Sequence, residues 1–342
     1  MMDAISLRKK INENAELSWK EFKTTKIICD FLSKHNVKFK KLPKTGVVAY
    51  SGKGKAILLR AELDALPFGK EVRHACGHDV HASALASALP SIRRKVVGVF
   101  QPSEEDYPSG ARHVMDSLKG EFEFGVAVHV DPSLPLGKVG IRGGYVMGSV
   151  DLLRFNVKGK SAHTAFPDEG KDAILAAADI VRDVGRAFPS RKCSVVISVV
   201  NGGDKDNIVC DNVKMVGTAR ALDESLRFRI KERIGGICRK VEQKQDVKVE
   251  FEFVEGYPSL YNDPKLAQKL RKVLRTEFGR ENVVLGKSCL ANEDFAFFGE
   301  KMPICLIRVG CGGVGLHNKE FYAPDEAVEI CRRVFVAASL PL

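Results

Sequence analysis

Lys95-Val96-Val97-Gly98-Val99-Phe100-Gln101-Pro102-Ser103-Glu104-Glu105-Asp106 decides the fold: an apolar run of strand length stops abruptly in polar residues and two consecutive carboxylates. A helix-like segment, Val80 to Ile92, precedes it, and further short apolar runs lie at Val47 to Tyr50, Ala56 to Leu59 and Val126 to Val130. Short strands alternating with helical stretches make an α/β layout with a largely parallel sheet flanked by helices. In such a sheet ligands collect beyond the carboxyl ends of the strands, which is where Glu104 and Glu105 would stand.

Upstream, apolar residues from Asp3 to Lys34 recur at helical spacing. Downstream a second rhythm begins near Val150. Leu152 to Lys158, Ser194 to Asn201, Val213 to Leu222 and Val247 to Phe253 read as strands, and Asp172 to Phe188 and Glu224 to Gln243 as helices. Four strands and two helices suit an α+β sandwich with one helical face. After Glu255-Gly256-Tyr257-Pro258 the first rhythm returns, with a helix from Asp263 to Phe278 and a strand from Ile304 to Val309. The expected organisation is therefore a catalytic domain of residues 1–147 and 257–342, interrupted by an inserted domain of residues 148–256.

The 342 residues, 44% apolar and 28% charged, suit about two ordinary globular domains. No apolar run is long enough to span a membrane, and Met1-Met2-Asp3-Ala4 lacks the layout of a signal peptide, so the expected location is cytoplasmic. Nine cysteines without an oxidising address read as buried thiols rather than a disulfide scaffold. The net charge of +11 is spread through helix-like stretches with no aromatic-interleaved basic stripe, so no nucleic-acid partner is expected.

Three of the eight histidines fall within His74-Ala75-Cys76-Gly77-His78-Asp79-Val80-His81. Cys76 and His78, two apart, can leave one face of extended chain and reach one ion, and thiolate with imidazole suits zinc or a neighbouring transition metal. Read alone, the octapeptide suits a loop with a buried thiol equally well. His129 ends the apolar run Phe124 to Val130, and His317 follows Ile304 to Val309 in a glycine-rich loop. Each is again a histidine delivered at a strand end. The helical His-Glu-x-x-His pair, the Gly-x-Ser-x-Gly elbow, the phosphate loop and the dinucleotide turn are all absent from the sequence. Five candidate ligands and one spare carboxylate exceed what one tetrahedral zinc needs, which points to two ions activating a water for hydrolysis.

Taken together, Leu59 to Pro67, His74 to His81, Gln101 to Glu105, Val128-His129-Val130, Lys158 to His163, Gly217-Thr218-Ala219-Arg220, Glu293-Asp294-Phe295 and Leu316-His317 resemble the M20 metallopeptidases. The likeness is to their amidohydrolase branch, with hippurate hydrolases, N-acyl-amino-acid deacylases and auxin-conjugate hydrolases. The match runs nearly end to end in the family's motif order. The resemblance implies a split catalytic domain and an inserted dimerisation domain. It implies that Cys76, His78, Glu105, His129 and His317 hold two divalent ions, with Cys76 bridging, and that Glu104 is the general acid/base. It further implies that His163 reaches across a homodimer toward the oxyanion, and that Asn207 and Arg220 hold a substrate carboxylate. Manganese or zinc are the expected metals; cobalt and nickel suit the same mixed ligands.

The sequence departs from the family's pattern in places. Glu62 replaces a customary Asp, Phe68 to Arg73 is a short stretch, Asn12 to Leu17 lacks the customary His and Pro, and Val209 replaces a Pro. No ligand is lost. The expected activity is hydrolysis of an N-acyl amino acid or small peptide with a free carboxylate; the rival expectation is a non-catalytic, metal-containing binding homologue, against which the retained Glu104 argues.

Overall fold

The computed structural model describes residues 2–341. In chain order its strands are β1 Lys38–Lys41, β2 Val47–Ser51, β3 Lys53–Glu62, β4 Leu66–Phe68, β5 Glu71–Arg73, β6 Arg94–Gln101, β7 Gly125–Asp131 and β8 Val139–Ile141. They continue as β9 Gly144–Met147, β10 Val150–Lys158, β11 Cys193–Gly202, β12 Asn212–Ala221, β13 Lys248–Tyr257, β14 Leu260–Asn262, β15 Val283–Leu285 and β16 Ile304–Gly310. The α-helices are α1 Met2–Glu13, α2 Phe22–Lys34, α3 His78–Ala88, α4 Gly110–Ser117, α5 Ala173–Ala187, α6 Glu224–Gln245, α7 Pro264–Phe278 and α8 Glu326–Ala338.

The chain divides into two compact units: Met1–Val146 with Tyr261–Lys287 and Asp294–Leu342, and Met147–Leu260 with Ser288–Glu293. These bounds differ from the expected ones in three places, the first boundary falling after Val146 instead of residue 147. The second boundary falls after Leu260 instead of residue 256, and Ser288–Glu293 groups with the second unit. Local bonding accompanies these last two differences: Ser259 Oγ donates to the Ala221 carbonyl at 3.1 Å, Gly148 N–H donates to the Ala291 carbonyl at 2.9 Å, and Arg220 Nη1 donates to the Leu290 carbonyl and to Asn292 Oδ1.

The first unit carries an eight-stranded sheet in the order β1-β2-β6-β3-β7-β16-β8-β15. Its centre, β6-β3-β7-β16, is parallel, and antiparallel pairs bring in β2, β1 and β8. Alternation along β3 sorts its side chains by face. Ile57, Leu59 and Ala61 join the core shared with α3 and α8, Ile57 and Leu59 each contributing about 1.5–3 kcal/mol by full burial. Arg60, wholly buried, bonds Glu62, Gln101 and Asp294 instead. A guanidinium can be buried there because its charge is matched and its N–H donors are used.

The helix expected over Val80 to Ile92 runs from His78 to Ala88 and tightens into a 3₁₀ turn at Leu89–Ser91, because Pro90 cannot continue the α-helical bonding. Helices α4 and α8 were not anticipated, although Val328, Cys331, Val334 and Phe335 carry a helical period. In the second unit the antiparallel sheet runs β11-β12-β10-β13. Leu153, Phe155 and Val157 of β10 alternate into a core with Ala173, Ala176 and Ile180 of α5 and Ile230 and Ile234 of α6. Among the described residues no helix is long and apolar enough to cross a membrane.

Candidate metal centre

Cys76 and His78 are set by Gly77 between them. Its φ of +80° belongs to the left-handed region, and a Cβ there would lie 2.4 Å from Val130 Cγ2, so only glycine allows α3 to start beside the end of β7. His78 Nδ1–H donates to the Asp64 carbonyl at 2.9 Å, with Asp64 Oδ1 3.2 Å away. In the neutral ring that fixes the tautomer and leaves His78 Nε2 as a lone pair, and this atom is buried and without a hydrogen-bond partner.

His129 Nδ1–H donates to the Val130 carbonyl at 2.8 Å, turning Nε2 toward Cys76 Sγ at 3.5 Å. His317, left-handed at φ +61°, donates its backbone N–H to the Ala75 carbonyl at 2.8 Å. Its Nε2 lies 3.4 Å from Glu105 Oε1, which is itself buried and unpartnered and 3.8 Å from His78 Nε2. Metal bonds of about 2.0–2.3 Å at tetrahedral angles put neighbouring ligand atoms about 3.3–3.7 Å apart, so these spacings are those of side chains able to share ions.

The donors fall into adjoining groups: Cys76 with His78 and His129, Cys76 with Glu105 and His317, and His78 with Glu104 and Glu105. Cys76 and His78 each belong to two of them. All five predicted ligands and Glu104 are therefore brought together in the first unit. Glu104 Oε2 is 4.0 Å from His78 Nε2, so Glu104 stands at the centre's edge.

The electrostatics favour a cation. Burial disfavours a charged His78, yet Asp64, Glu62 and Glu105 outweigh it and push the imidazole up to about 10. Burial, then the Glu105 and Glu104 carboxylates, drive the Cys76 thiol well above its ordinary value. Burial and neighbouring His81 hold His129 well below its own. Without an ion the site takes up protons, and a divalent ion replacing them would supply the positive charge that the carboxylates demand.

Of the other two histidines of the octapeptide, His81 groups with Glu62 and His78, but its ring nitrogens are already in use. His81 Nδ1–H donates to Glu62 Oε2 at 2.8 Å, and its Nε2 accepts the Val130 N–H at 2.9 Å, so no lone pair is left. His74 lies outside every group of donors, and burial lowers it to about 4.

The remaining predicted residues, His163, Asn207 and Arg220, belong to the second unit. His163 is exposed, and its Nδ1 accepts the Ala165 N–H at 3.0 Å, so in the neutral ring the proton sits on Nε2 as a donor. Asn207, also exposed, accepts the Thr164 N–H at its carbonyl, 3.2 Å away, beside His163. Arg220 Nη1 donates to Asn292 Oδ1 at 2.9 Å, a partner that the sequence reading missed although it adjoins Glu293-Asp294-Phe295. It also missed Asp64 as the group that orients His78.

A model of peptidase family M20/M25/M40 matches residues 58–340. An N-acetylcysteine deacetylase of Bacillus subtilis is 31% identical over 97% of this chain and 94% of its own. A thermostable carboxypeptidase of Saccharolobus solfataricus is 31% identical over 87% of this chain and 83% of its own. Among solved structures, a Bacillus subtilis dinuclear metal-binding peptidase of the M20 family superposes with a TM-score of 0.88 at 27% identity, over 98% of this chain and 96% of that one.

Proposed function

The chain belongs to peptidase family M20/M25/M40 and is a hydrolase of amide bonds, and on that premise we propose that its substrate is an N-acyl amino acid, or a small peptide, with a free carboxylate. The observation that carries this reading is the clustering of the donor atoms of Cys76, His78, Glu105, His129 and His317 beside Glu104, with His78 Nε2 and Glu105 Oε1 buried and unpartnered. A purely structural site has no use for the sixth side chain.

Two divalent ions, manganese or zinc first and cobalt or nickel by the same donor chemistry, would acidify a water and polarise the scissile carbonyl when bound. Glu104 takes the proton from the attacking water and delivers it to the departing amine nitrogen, one carboxylate serving as base and then acid. His163 Nε2–H donates to the oxygen on which negative charge develops. Arg220, steadied by Asn292, and Asn207 hold the substrate carboxylate. The two similar enzymes support this choice, since an N-acetyl amino acid and a peptide cut at its carboxyl end both present an amide next to a free carboxylate.

The active unit in this reading is a homodimer formed through the second unit. Ile174, Leu175 and Val181 of α5 and Val196, Val199 and Val200 of edge strand β11 are all exposed, an apolar edge that a twofold partner would cover. A cytoplasmic site of action fits nine cysteines that are all free thiols.

The test is metal analysis of the purified protein followed by assay against a panel of N-acyl amino acids and dipeptides. Two ions per subunit and turnover of at least one class are expected. Hydrolysis of none of them by fully loaded protein would favour the non-catalytic alternative.

A further inference from the structure

Glu104 is held by its neighbours' backbone. On one side the Glu105 N–H donates to Asp64 Oδ2 at 2.9 Å, and on the other the Ser103 N–H donates to Glu21 Oε1 at 2.8 Å. Asp64 touches the ligand His78, whereas Glu21 belongs to none of the groups of metal-ligand donors. Glu21 is nevertheless wholly buried, where an acidic side chain is costly unless it is hydrogen-bonded. Its Oε1 also accepts the Trp19 N–H at 3.0 Å, and its Oε2 accepts the Thr45 hydroxyl at 2.7 Å.

Both residues tied to that one oxygen are left-handed: Ser103 at φ +47° and Trp19 at φ +63°. Side chains other than glycine take up that conformation only when their surroundings impose it. The Ser103 carbonyl is fixed in turn by the Gly110 N–H at 2.8 Å, and Gly110 must be glycine because a Cβ there would lie 1.7 Å from the Pro102 carbonyl oxygen. The indole Nε1–H of Trp19 reaches the Pro108 carbonyl at 3.0 Å, and Ser18 donates to Asp64 Oδ2 at 2.8 Å. Residues 18–21, just before α2, thus brace the loop after β6 at both of its ends and also steady Asp64.

We infer that Glu21 is a positioning residue that sets the direction of the Glu104 carboxylate through the Ser103 backbone. The inference rests on the proposed role of Glu104 as proton carrier. Removing the Glu21 carboxylate frees Ser103 to relax from its left-handed conformation, which swings the next side chain while leaving the metal ligands anchored by their own bonds. A displacement of that kind lowers turnover more than substrate binding.

The chain's single tryptophan is Trp19, so its fluorescence reports on the brace directly. Glu21→Ala should lower kcat by about tenfold or more with KM within about twofold, keep two ions per subunit and shift Trp19 emission to the red. Glu21→Gln, which keeps an acceptor oxygen for both N–H groups, should return kcat to within about threefold of the parent. If Glu21→Ala does not fold, Glu21→Asp, which withdraws the carboxylate by one bond length of about 1.5 Å, takes its place in the same comparison. Unchanged kcat in a folded variant whose Trp19 emission has moved would overturn the inference, as would parallel loss of metal or a Gln variant as impaired as Ala. If the parent protein hydrolyses nothing on the panel, the proposed function fails by itself. The brace is then judged by Trp19 emission and Ser103 amide exchange, which should both change in Glu21→Ala and refute it if both stay the same.

Discussion

The backbone N–H of Val130 donates to His81 Nε2 at 2.9 Å, while His81 Nδ1–H is given to Glu62. Both ring nitrogens are thereby occupied, and a metal could be bound only by breaking a buried hydrogen bond. His81→Gln should keep two ions per subunit and lower the unfolding temperature. Cys76→Ala and His317→Ala should lose metal, because each removes a donor atom itself. Metal analysis of the three variants separates the cases; loss of an ion from His81→Gln alone would return His81 to the ligand set.

Much of this centre is legible in the sequence because three of the proposed ligands stand near the ends of apolar runs, while Cys76 and His78 stand out by the crowding of His74 to His81. His129 lies two residues before the end of β7, Glu104 and Glu105 follow β6, and His317 follows β16, so a pattern of buried strands already locates them at the carboxyl ends of a sheet. The pairings that position them are not legible. Glu21 meets Ser103, and Arg220 meets Asn292, across 82 and 72 residues, and no local periodicity encodes such distances. The short strands β8 and β15 are illegible for a related reason, since three residues give no alternation to read. Glu62 stands out in the sequence as a departure, but its partners Arg60 and His81 come together only when β3 and α3 are in place.

Asp179 on α5 accepts hydrogen bonds from Lys244 and Gln245 at 2.9 Å each and pairs with Arg182 at 2.7 Å. Lys244, then Gln245, lower its carboxyl to about 2. An acid whose folded value lies below its unfolded value of about 3.9 stabilises the fold above that pH and loses the contribution as the pH falls toward the folded value. Asp179→Asn should therefore cost on the order of 1 kcal/mol at neutral pH, the scale of a surface ion pair. The gap in urea unfolding between parent and variant should close as the pH falls from 4 toward 2. A gap that stays constant would show that the loss is not ionic.

The proposed dimer predicts complementation between two disabled subunits. His163→Ala and Glu104→Gln proteins should each be nearly inactive. Mixing them with subunit exchange should return roughly a quarter of the parent activity, because about half the dimers are mixed and each has one intact site of two by the reciprocity of a twofold interface. No recovery after confirmed exchange would mean that His163 acts within its own chain or not at all.

The central claim is the division of labour between two adjacent carboxylates: Glu105, whose orphaned Oε1 faces His78 and His317, holds metal, and Glu104 moves the proton. The most direct measurement compares metal content and turnover in Glu104→Gln and Glu105→Gln. Glu104→Gln should retain two ions while losing at least about a hundredfold in kcat, the scale of a general base, and Glu105→Gln should lose metal. Metal lost in parallel with activity from Glu104→Gln would contradict the account.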